Sequence, residues 1–340
     1  MNRDPLVGIA TPVYNGEPYL QECIESVLKQ SYTNWEYIIV NNGSTDRSLE
    51  IAQDYAAADP RIRVHNNEKC LSQLRNFNVA LSLVSPRSSY YKMVLADDWL
   101  LPECLERMVR LAEENPTVGL VSSYQIAGNR VQADGFPLPG SVLSGREVCR
   151  IQLLDGLFFF GSPTSILMRG EVVRDRTPFY NELALHADTD ACYAILREWD
   201  FGFVHQVLSF TRTDNESITS RIRHFLPHEL DKFIVLMNHG RNYLDPSEFE
   251  RFFRWFRRRY FRRLARGLLS PRGLAKYQYH RAGLKTVGYD LTLLKLSPYI
   301  LSVLMDMALN PKNTAGELKK DLNKALKCFR VAIDKGFLCW

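Results

Sequence analysis

The feature that most constrains the fold of this chain is the alternation of strand and helix patterns over its first 124 residues. Short apolar or β-branched runs predict strands at Val7–Thr11, Trp35–Val40, Arg61–His65, Tyr90–Leu95 and Val118–Tyr124. The segments between them carry apolar residues at helical spacing and predict helices at Pro18–Gln30, Asp46–Ala57, Leu71–Leu83 and Pro102–Leu111. Strands that alternate with helices in this way form βαβ units. The sequence therefore predicts an α/β domain with a mostly parallel central sheet flanked by helices.

The last third of the chain differs from the rest in composition. Residues 241–285 carry 13 Lys or Arg residues against 3 acidic residues, and their apolar residues recur at helical spacing. We therefore predict a domain boundary near residue 225, with a Rossmann-like domain in residues 1–224 and a basic, α-helical extension in residues 225–340. Within the first domain, residues 125–145 are rich in Gly, Pro and Ser and predict a loop.

Composition and cysteine usage indicate a cytoplasmic globular protein. Hydrophobic residues make up 46% of the chain and charged residues 24%, which is ordinary for a soluble domain. We find no charged leader followed by an apolar stretch, and no apolar run approaches the roughly 18 residues that span a bilayer. The seven cysteines are scattered and never form a CxxC pair, which is typical of buried thiols in a reducing compartment.

Polar motifs follow three of the predicted strands at the point where each strand ends. They read Ala10-Thr11-Pro12-Val13-Tyr14-Asn15-Gly16, Val40-Asn41-Asn42-Gly43-Ser44-Thr45-Asp46 and Leu95-Ala96-Asp97-Asp98. Loops at the carboxyl ends of strands line the ligand crevice of an open α/β sheet, so these motifs predict one shared site. Adjacent carboxylates are costly without a cation, and oxygen ligands suit Mg²⁺ or Mn²⁺. Asp97 and Asp98 are therefore candidate metal ligands.

Together with Arg75-Asn76, these motifs occur in the order and at the spacing found in family 2 glycosyltransferases, which the chain resembles over about residues 5–215. The resemblance implies the GT-A fold, a Rossmann-like architecture that binds nucleotide-diphospho-sugars. It also implies a divalent cofactor, Mn²⁺ or Mg²⁺, held at Asp97 and Asp98 against the diphosphate. A nucleotidyltransferase of related fold would need a Gly-rich, lysine-bearing first loop, which residues 11–16 lack.

The resemblance implies a set of nucleotide-sugar-binding residues, namely Thr11, Pro12, Tyr14, Asn15, Glu17, Asn41, Asn42, Arg75 and Asp97. The Tyr14 ring would stack on the base, although packing against the first helix is the alternative. Glu17 would reach the ribose or complement the dipole of that helix. Arg75 would fix the nucleotide or form a structural pair with a nearby aspartate.

The chain departs from the family pattern at several positions. Asn41 and Asn42 stand where the family usually has an aspartate, but an amide carbonyl still accepts a bond from a nucleobase N–H. The two asparagines weaken the inference of a uridine nucleotide but not that of a nucleotide, and a UDP-sugar remains the expected donor. Leu95 stands where the family has a further aspartate, and a solvated loop before a helix starting at residues 99–102 is the alternative for the carboxylate pair. Asp214 replaces a family histidine and would ligate the metal or pair with Arg212.

A candidate catalytic base lies in the segment His186-Ala187-Asp188-Thr189-Asp190, which precedes a predicted helix. In inverting relatives an aspartate in this segment removes the proton from the acceptor hydroxyl. Asp188 matches that position, and Asp190 is the alternative. A helix N-cap is the structural role that Asp188 would fill without catalysis.

The resemblance implies an inverting, metal-dependent glycosyltransferase of surface polysaccharide biosynthesis, with a glycan or lipid-linked acceptor. A non-catalytic sugar-nucleotide-binding or scaffold protein with a degenerate site is the alternative. Aromatic and arginine residues recur at helical spacing over residues 249–266, a pattern that fits peripheral attachment to the anionic inner face of the membrane. The alternative is a helix that packs its aromatic face on the catalytic domain. We expect no nucleic-acid partner, because no recognised motif accompanies the basic patch.

Overall fold

The computed structural model describes residues 4–137, 139–184, 186–213, 225, 227–270 and 272–310. Its strands are β1 Val7–Val13, β2 Trp35–Asn41, β3 Ile62–Asn66, β4 Tyr90–Met93, β5 Trp99–Leu100, β6 Val118–Ala127, β7 Arg130–Gln132, β8 Val142–Leu143, β9 Leu167–Arg169 and β10 Asp200–Thr211. Its helices are α1 Glu17–Leu28, α2 Ser48–Ala58, α3 Gln73–Ser82, α4 Cys104–Glu114, α5 Gly145–Asp155, α6 Gly170–Arg174, α7 Ala187–Ile195, α8 Pro227–Tyr243, α9 Pro246–Leu268, α10 Gly273–Thr286 and α11 Leu293–Leu309.

The strands form one mixed sheet in the order β3-β2-β1-β4-β9-β6-β10-β5, with β7 added beside β6 and β8 beside β10. The first four strands in this order run parallel to each other, and β6 runs parallel to β10. Strand β9 is antiparallel to both β4 and β6 and joins the two parallel groups. The predicted α/β architecture with a flanked central sheet is confirmed, and helices follow it from residue 227 onward.

Strand β1 is buried along its whole length, and both of its faces are covered by other elements. Val7, Ile9 and Val13 belong to a core that also contains Leu20 and Ile24 of α1. Gly8 points to the opposite face, where an added Cβ would lie 2.1 Å from Val84 Cγ1 just after α3. The sequence therefore places a residue without a side chain where the chain following α3 approaches the sheet most closely.

The local structure differs from the sequence-based predictions in two places. Residues 125–145 were expected to form a loop, but β6 continues to Ala127 and pairs with β7, and β8 pairs with β10. The helix predicted at Pro102–Leu111 is present as α4, but strand β5 at Trp99–Leu100, which pairs with Ser209 and Phe210, was not expected. The Trp99 ring stacks on the Phe210 ring at a centroid distance of 3.8 Å, a contact between distant segments that local periodicity does not encode.

The C-terminal helices carry the basic residues of the chain. The contacts divide the chain into two compact units, the first ending at Glu250 and the second beginning at Arg251. The aromatic stripe expected to anchor α9 is largely buried, since Phe256, Tyr260 and Leu264 are at most 5% exposed. The arginines of α9 lie mainly on its exposed side. Over the ranges that the structure covers, we find no helix with the length and apolarity required to cross a bilayer.

Candidate active site

The loops that follow β1 and β2 are joined by a network of hydrogen bonds. Asn15 has a positive φ of 51°, and its Oδ1 accepts bonds from Thr45 N and Oγ1 at 2.8 and 3.3 Å. The backbone N–H groups at the start of α1 donate to Ser48 Oγ and Asp46 Oδ2. The carboxylate of Glu17 accepts a bond from Arg47 N at 3.1 Å, so Glu17 contributes to the same network. These contacts hold the carboxyl ends of β1 and β2 in a fixed relation.

The residues of the first motif differ sharply in exposure. Thr11 is fully buried, and its hydroxyl donates to Val94 O and accepts from Tyr37 Oη, both at 2.8 Å. Pro12 is buried within β1. Tyr14 is 55% exposed immediately after the strand. The structure therefore places Thr11 and Pro12 in the scaffold and leaves the Tyr14 ring accessible to a ligand.

The two asparagines at the end of β2 have different hydrogen-bonding states. Asn42 is saturated, because its Oδ1 accepts from Asn67 Nδ2 and Leu71 N and its Nδ2 donates to Leu71 O. Asn41 donates through Nδ2 to Asn66 Oδ1 at 2.7 Å, but its own Oδ1 is buried and no described group donates to it. A buried carbonyl without a donor is costly, so Asn41 Oδ1 is a candidate ligand acceptor.

The loop after β3 reaches the site through amide side chains. Asn67 Nδ2 donates to Asn42 Oδ1 and to Asn76 Oδ1 of α3, both at 2.9 Å. Arg75 does not take part in this network. Its guanidinium is exposed and pairs with Glu182 at 2.8 Å, so its partner is a carboxylate, though a glutamate rather than the expected aspartate.

Asp98 is almost completely buried after β4 and joins three segments. Its Oδ2 accepts bonds from Thr164 Oγ1 at 2.6 Å and Thr211 Oγ1 at 3.3 Å, and its Oδ1 accepts one from Arg212 N at 3.2 Å. Thr164 in turn accepts a bond from Leu95 N. Burial, and then the charge of Asp97, raise the pKa of Asp98 to about 7, against the hydrogen bonds that lower it.

Asp97 and Arg212 lie beside this carboxylate. Asp97 is half-buried, and its backbone O accepts a bond from Arg212 Nε at 3.4 Å. The Arg212 guanidinium pairs with Glu22 at 2.8 Å and lies over the ring of Tyr19. Asp214, the other candidate partner of Arg212 and of the metal, lies outside the described residues. Arg212 therefore connects the end of β10 to α1 and to the Asp97-Asp98 turn.

The residues present fit a divalent cation held jointly with a ligand. The described ranges contain no group of three or more His, Cys, Asp or Glu side chains able to hold a metal ion. Mg²⁺ is usually bound by one or two carboxylates together with substrate phosphates and water, so a complete protein cage is not required. Burial, and then the charge of Asp97, raise the pKa of Asp98, and a bound cation would offset both effects by favouring the ionised carboxylate.

Asp188 and Asp190 both lie in the first turn of α7, but their partners differ. Asp190 Oδ1 is 2.8 Å from His239 Nε2 of α8. Asp188 is half-buried, and among the described residues no group donates a hydrogen bond to its carboxylate. It also borders a small, largely apolar cavity of about 10 Å³ together with Pro163, Ile166 and Tyr180. Within the described part of the chain, α8 therefore engages the carboxylate of Asp190 but not that of Asp188.

Helix α8 supplies further titratable groups around Asp188 that sequence reasoning did not identify. Burial, followed by the charges of Asp188 and Asp190, raises the pKa of Asp231 to about 8. His186, which directly precedes α7, lies near the same groups. Burial lowers the pKa of His186, and its Nε2 has no hydrogen-bond partner among the described residues. A helical pattern at residues 227–243 was readable in the sequence, but nothing in it indicated that α8 packs against α7.

The turn at Pro163–Ser165 lies between the two clusters of carboxylates. Thr164 donates to Asp98, whereas Pro163 and Ile166 line the small cavity that Asp188 borders. The sequence analysis did not identify the hydrogen bond from Thr164 to Asp98, since a lone threonine in a loop carries no signal in a single sequence.

Comparisons with known proteins bear on the family and the fold of the chain. The family model described as "Glycosyl transferase family 2" matches residues 8–176. The chain is 43% identical over 112 residues to "Uncharacterized glycosyltransferase EpsJ" of Bacillus subtilis, a match that covers 33% of this chain and 31% of EpsJ. It is 31% identical over 132 residues to "Glycosyltransferase GlyG" of Streptococcus pneumoniae, covering 38% and 42%. The chain thus matches only about a third of the length of EpsJ.

Solved structures share the fold at low sequence identity. The S. aureus TarS fragment 1-349 in complex with UDP-GlcNAc superposes with a TM-score of 0.59 at 18% identity, over 82% of this chain and 81% of that one. The mannosyltransferase PcManGT from Pyrobaculum calidifontis, in complex with GDP-Man and Mn2+, gives a TM-score of 0.54 at 14% identity, over 92% and 83%. These similarities confirm the predicted GT-A fold.

Proposed function

Because residues 8–176 of this chain belong to glycosyl transferase family 2, we propose that the protein is an inverting glycosyltransferase. It transfers a sugar from a nucleotide-diphospho-sugar to a hydroxyl group of a glycan or lipid-linked acceptor. The donor is a UDP-sugar, and the reaction belongs to surface polysaccharide synthesis.

The observation that carries the proposal is the pairing of an exposed ring with a buried acceptor at the ends of β1 and β2. Val13 is in register with Asn41, so the exposed Tyr14 directly follows the neighbour of the unpaired Asn41 Oδ1. A planar base stacked on Tyr14 would present a ring N–H to that carbonyl. Uracil carries such a group at N3, and the bond would satisfy the orphaned acceptor.

The diphosphate of the donor belongs at the next strand end. Asp97 and Asp98 follow β4, the other neighbour of β1 in the sheet, and would hold Mn²⁺ or Mg²⁺ there. The cation supplies compensation for the negative charge of the departing diphosphate. The three hydrogen bonds to Asp98 fix its carboxylate before a ligand arrives, so little reorganisation is needed on binding.

Asp188 acts as the general base in this proposal. Its carboxylate removes the proton of the acceptor hydroxyl as that oxygen attacks the anomeric carbon. The bond from the anomeric carbon to the diphosphate oxygen breaks on the opposite side, which inverts the configuration. The hydrogen bond between Asp190 and His239 ties α7 to α8 and fixes the helix that carries Asp188.

The acceptor and its location follow from the basic C-terminal helices. The exposed arginines of α9 favour an anionic surface, such as the inner face of the cytoplasmic membrane, where lipid-linked acceptors reside. We therefore propose a cytoplasmic enzyme that binds the membrane peripherally. The catalytic domain is proposed to end near residue 224, where the composition changes.

Calorimetric titration with UDP, GDP and CDP, each with and without Mn²⁺, tests the proposal. We expect UDP to bind most tightly and Mn²⁺ to strengthen its binding. Hydrolysis or transfer of a UDP-sugar should then require the metal. If none of the nucleotides binds, the alternative of a non-catalytic scaffold with a degenerate site is favoured.

Variants of Tyr14 provide a matched control for the same titration. Tyr14→Phe keeps the aromatic face and should bind UDP like the wild type. Tyr14→Ala should weaken binding by about 1–3 kcal/mol, the typical contribution of a base stacked on an aromatic side chain. Equal affinities in the two variants would remove Tyr14 from the nucleotide site.

A further inference from the structure

Helix α11 carries an apolar surface that no described residue covers. Its large apolar side chains with substantial exposure are Leu293, Leu294, Leu301, Leu304, Met305 and Leu309. Leu294 is 82% exposed and Leu309 is 74% exposed. Nearly half of the strongly exposed large hydrophobic side chains of the described chain thus lie on this one helix, which marks it as an interaction surface.

The exposed apolar residues lie on the side of α11 that faces away from α9. The Tyr299 ring contacts the Phe261 ring of α9, and Asp306 pairs with Arg262 of the same helix. Leu296 and Val303 are fully buried. At 100° per residue, Leu294, Leu301 and Met305 project from the opposite side of the helix. Helix α11 is therefore apolar on both sides, although only one of them is buried within this unit.

The charge around this helix identifies the partner. Residues 251–310 contain 13 Lys or Arg residues and only 2 acidic residues. Arg258 and Arg259 of α9 are exposed, and Arg259 lies over the half-exposed Trp255 ring. An apolar surface surrounded by positive charge complements an anionic lipid surface. The same charge opposes the pairing of two copies of this surface, because two strongly positive regions would be brought together.

We propose that α11 lies in the plane of an anionic bilayer. Its exposed leucines and Met305 enter the boundary between headgroups and acyl chains, and the arginines of α9 bind lipid phosphates. A helix of 17 residues is about 25 Å long, which suits in-plane binding. The inference rests on the proposed function and deepens it. It names α11 as the membrane contact in place of the buried aromatic stripe of α9.

Vesicle flotation of the full-length chain tests the inference. The probes are phosphatidylcholine vesicles with and without about a third phosphatidylglycerol. We expect the wild type to float with the anionic vesicles only. Leu294→Ser combined with Leu301→Ser should lower the partition coefficient by at least about tenfold, because each leucine loses its buried apolar area. Arg258→Gln combined with Arg259→Gln should lower it by about fivefold per arginine.

A matched control uses exposed apolar residues far from this helix in sequence. Leu183 and Val131 are 88% and 52% exposed, similar to Leu294 and Leu301. Leu183→Ser combined with Val131→Ser should float like the wild type. Circular dichroism should show that all variants fold. If the leucine variant does not fold, the arginine variant still tests the inference.

Several outcomes would overturn the inference. These are a wild type that does not float, a wild type that floats equally well with neutral vesicles, and a leucine variant that floats as well as the wild type. A wild-type dimer that the leucine variant dissociates, with neither floating, would assign the surface to a second copy. Hydrolysis of the donor in solution, measured on the same variants, separates this question from the proposed function, because a failure of membrane binding leaves hydrolysis unchanged.

Discussion

At the level of single side chains, Asp188 and Asp190 illustrate how a second helix gives two similar residues different partners. Both are aspartates in the first turn of α7, and the sequence left either of them as the candidate base. His239 of α8 contacts Asp190, whereas Asp188 has no such partner among the described residues. This difference favours Asp188 as the proposed base, because a general base needs a carboxylate oxygen that is available to the acceptor hydroxyl.

We predict that Asp188→Asn lowers kcat by about 10²–10⁴-fold, since the amide cannot act as a base. The affinity for UDP and Mn²⁺ should stay nearly unchanged, because Asp188 lies outside the nucleotide-binding strand ends. Transfer rates and calorimetry on the same preparations measure the two effects. Asp190→Asn is the comparison. This variant should be less stable than the wild type but should keep most of the transfer activity. Normal transfer by Asp188→Asn would refute the assignment of the base.

Thr164 offers a second test at the residue scale. Its buried hydroxyl donates to Asp98 and accepts from Leu95 N. Thr164→Val leaves both groups without a partner and should reduce the free energy of unfolding by about 1–3 kcal/mol. Thr164→Ser keeps the hydroxyl and should lose less. Urea unfolding curves of the two variants decide the point, and an equal loss in both would show that packing matters more than the hydrogen bonds.

At the level of elements, the start of α5 depends on the absence of a side chain. A Cβ added to Gly145 would lie 2.0 Å from Leu196 O and 2.3 Å from Trp199 O, both of them backbone atoms in the segment between α7 and β10. Helix α5 therefore approaches this segment as closely as its backbone permits. Ser144 caps the helix by accepting a bond from Glu147 N at 3.2 Å.

We predict that Gly145→Ala costs about 1–3 kcal/mol of stability, as overpacking does elsewhere. Gly140→Ala is the control, because its Cβ would meet nothing closer than 3.9 Å. That variant should stay within about 0.5 kcal/mol of the wild type. Thermal and urea unfolding measure both. A harmless Gly145→Ala would mean that α5 shifts at no cost.

The alternating first part of the chain was predictable, whereas its later part was not. Strands β1 to β4 and helices α1 to α4 lie within a few residues of their expected bounds, because buried strands and amphipathic helices carry their own periodicity. Strand β5 and the β7 and β8 pairings were missed, since short strands of two or three residues depend on partners distant in sequence. Helix α9 was expected, and the burial of much of its aromatic stripe disfavours that stripe as the membrane contact.

The same distinction applies to the candidate site. The strand-end motifs pointed to Tyr14, Asn41 and the Asp97-Asp98 pair through their local order. The roles of Asn67 and Thr164 follow from contacts to residues distant in sequence, so nothing in their local sequence predicted them. His239 and Asp231 were missed for the same reason, because the packing of α8 on α7 is a tertiary property.

At the level of the whole molecule, the two ends of the chain carry opposite charge. Residues 1–250 contain 23 Lys or Arg and 33 Asp or Glu residues, and residues 251–340 contain 20 and 5. The chain as a whole is therefore only slightly basic, at +5. An anionic surface would attract the second region more strongly than the first.

The stability of the whole molecule should also depend on the protonation of Asp98. Its pKa rises from 3.8 to about 7 on folding, so between these values the folded state holds a proton that the unfolded state has lost. The free energy of unfolding therefore falls as pH rises through this window, by at most about 1.4 kcal/mol per pH unit. Bound Mn²⁺ favours the ionised carboxylate, so its stabilising effect should grow towards pH 7.

Thermal unfolding between pH 4 and 8, with and without Mn²⁺ and UDP, measures this dependence. Asp98→Asn is the comparison, because it removes the group and leaves the contribution of Asp231 in place. We expect the difference in Tm between the two proteins to change across pH 4–7 and the Mn²⁺ effect to be absent from the variant. Parallel curves for the two proteins would show that Asp98 does not titrate in this range.

The placement of β9 has a consequence for the synthesis of this chain on the ribosome. The four parallel strands on one side of the sheet are complete once Met93 has emerged, and each pairs with strands already made. The free edge of β4 has to wait for residues 167–169, which arrive only after β6. During that interval the nascent protein presents an open strand edge of the kind that promotes aggregation. We therefore expect chaperone dependence to be greatest for chains stalled between these two points, and to fall once β9 closes the sheet.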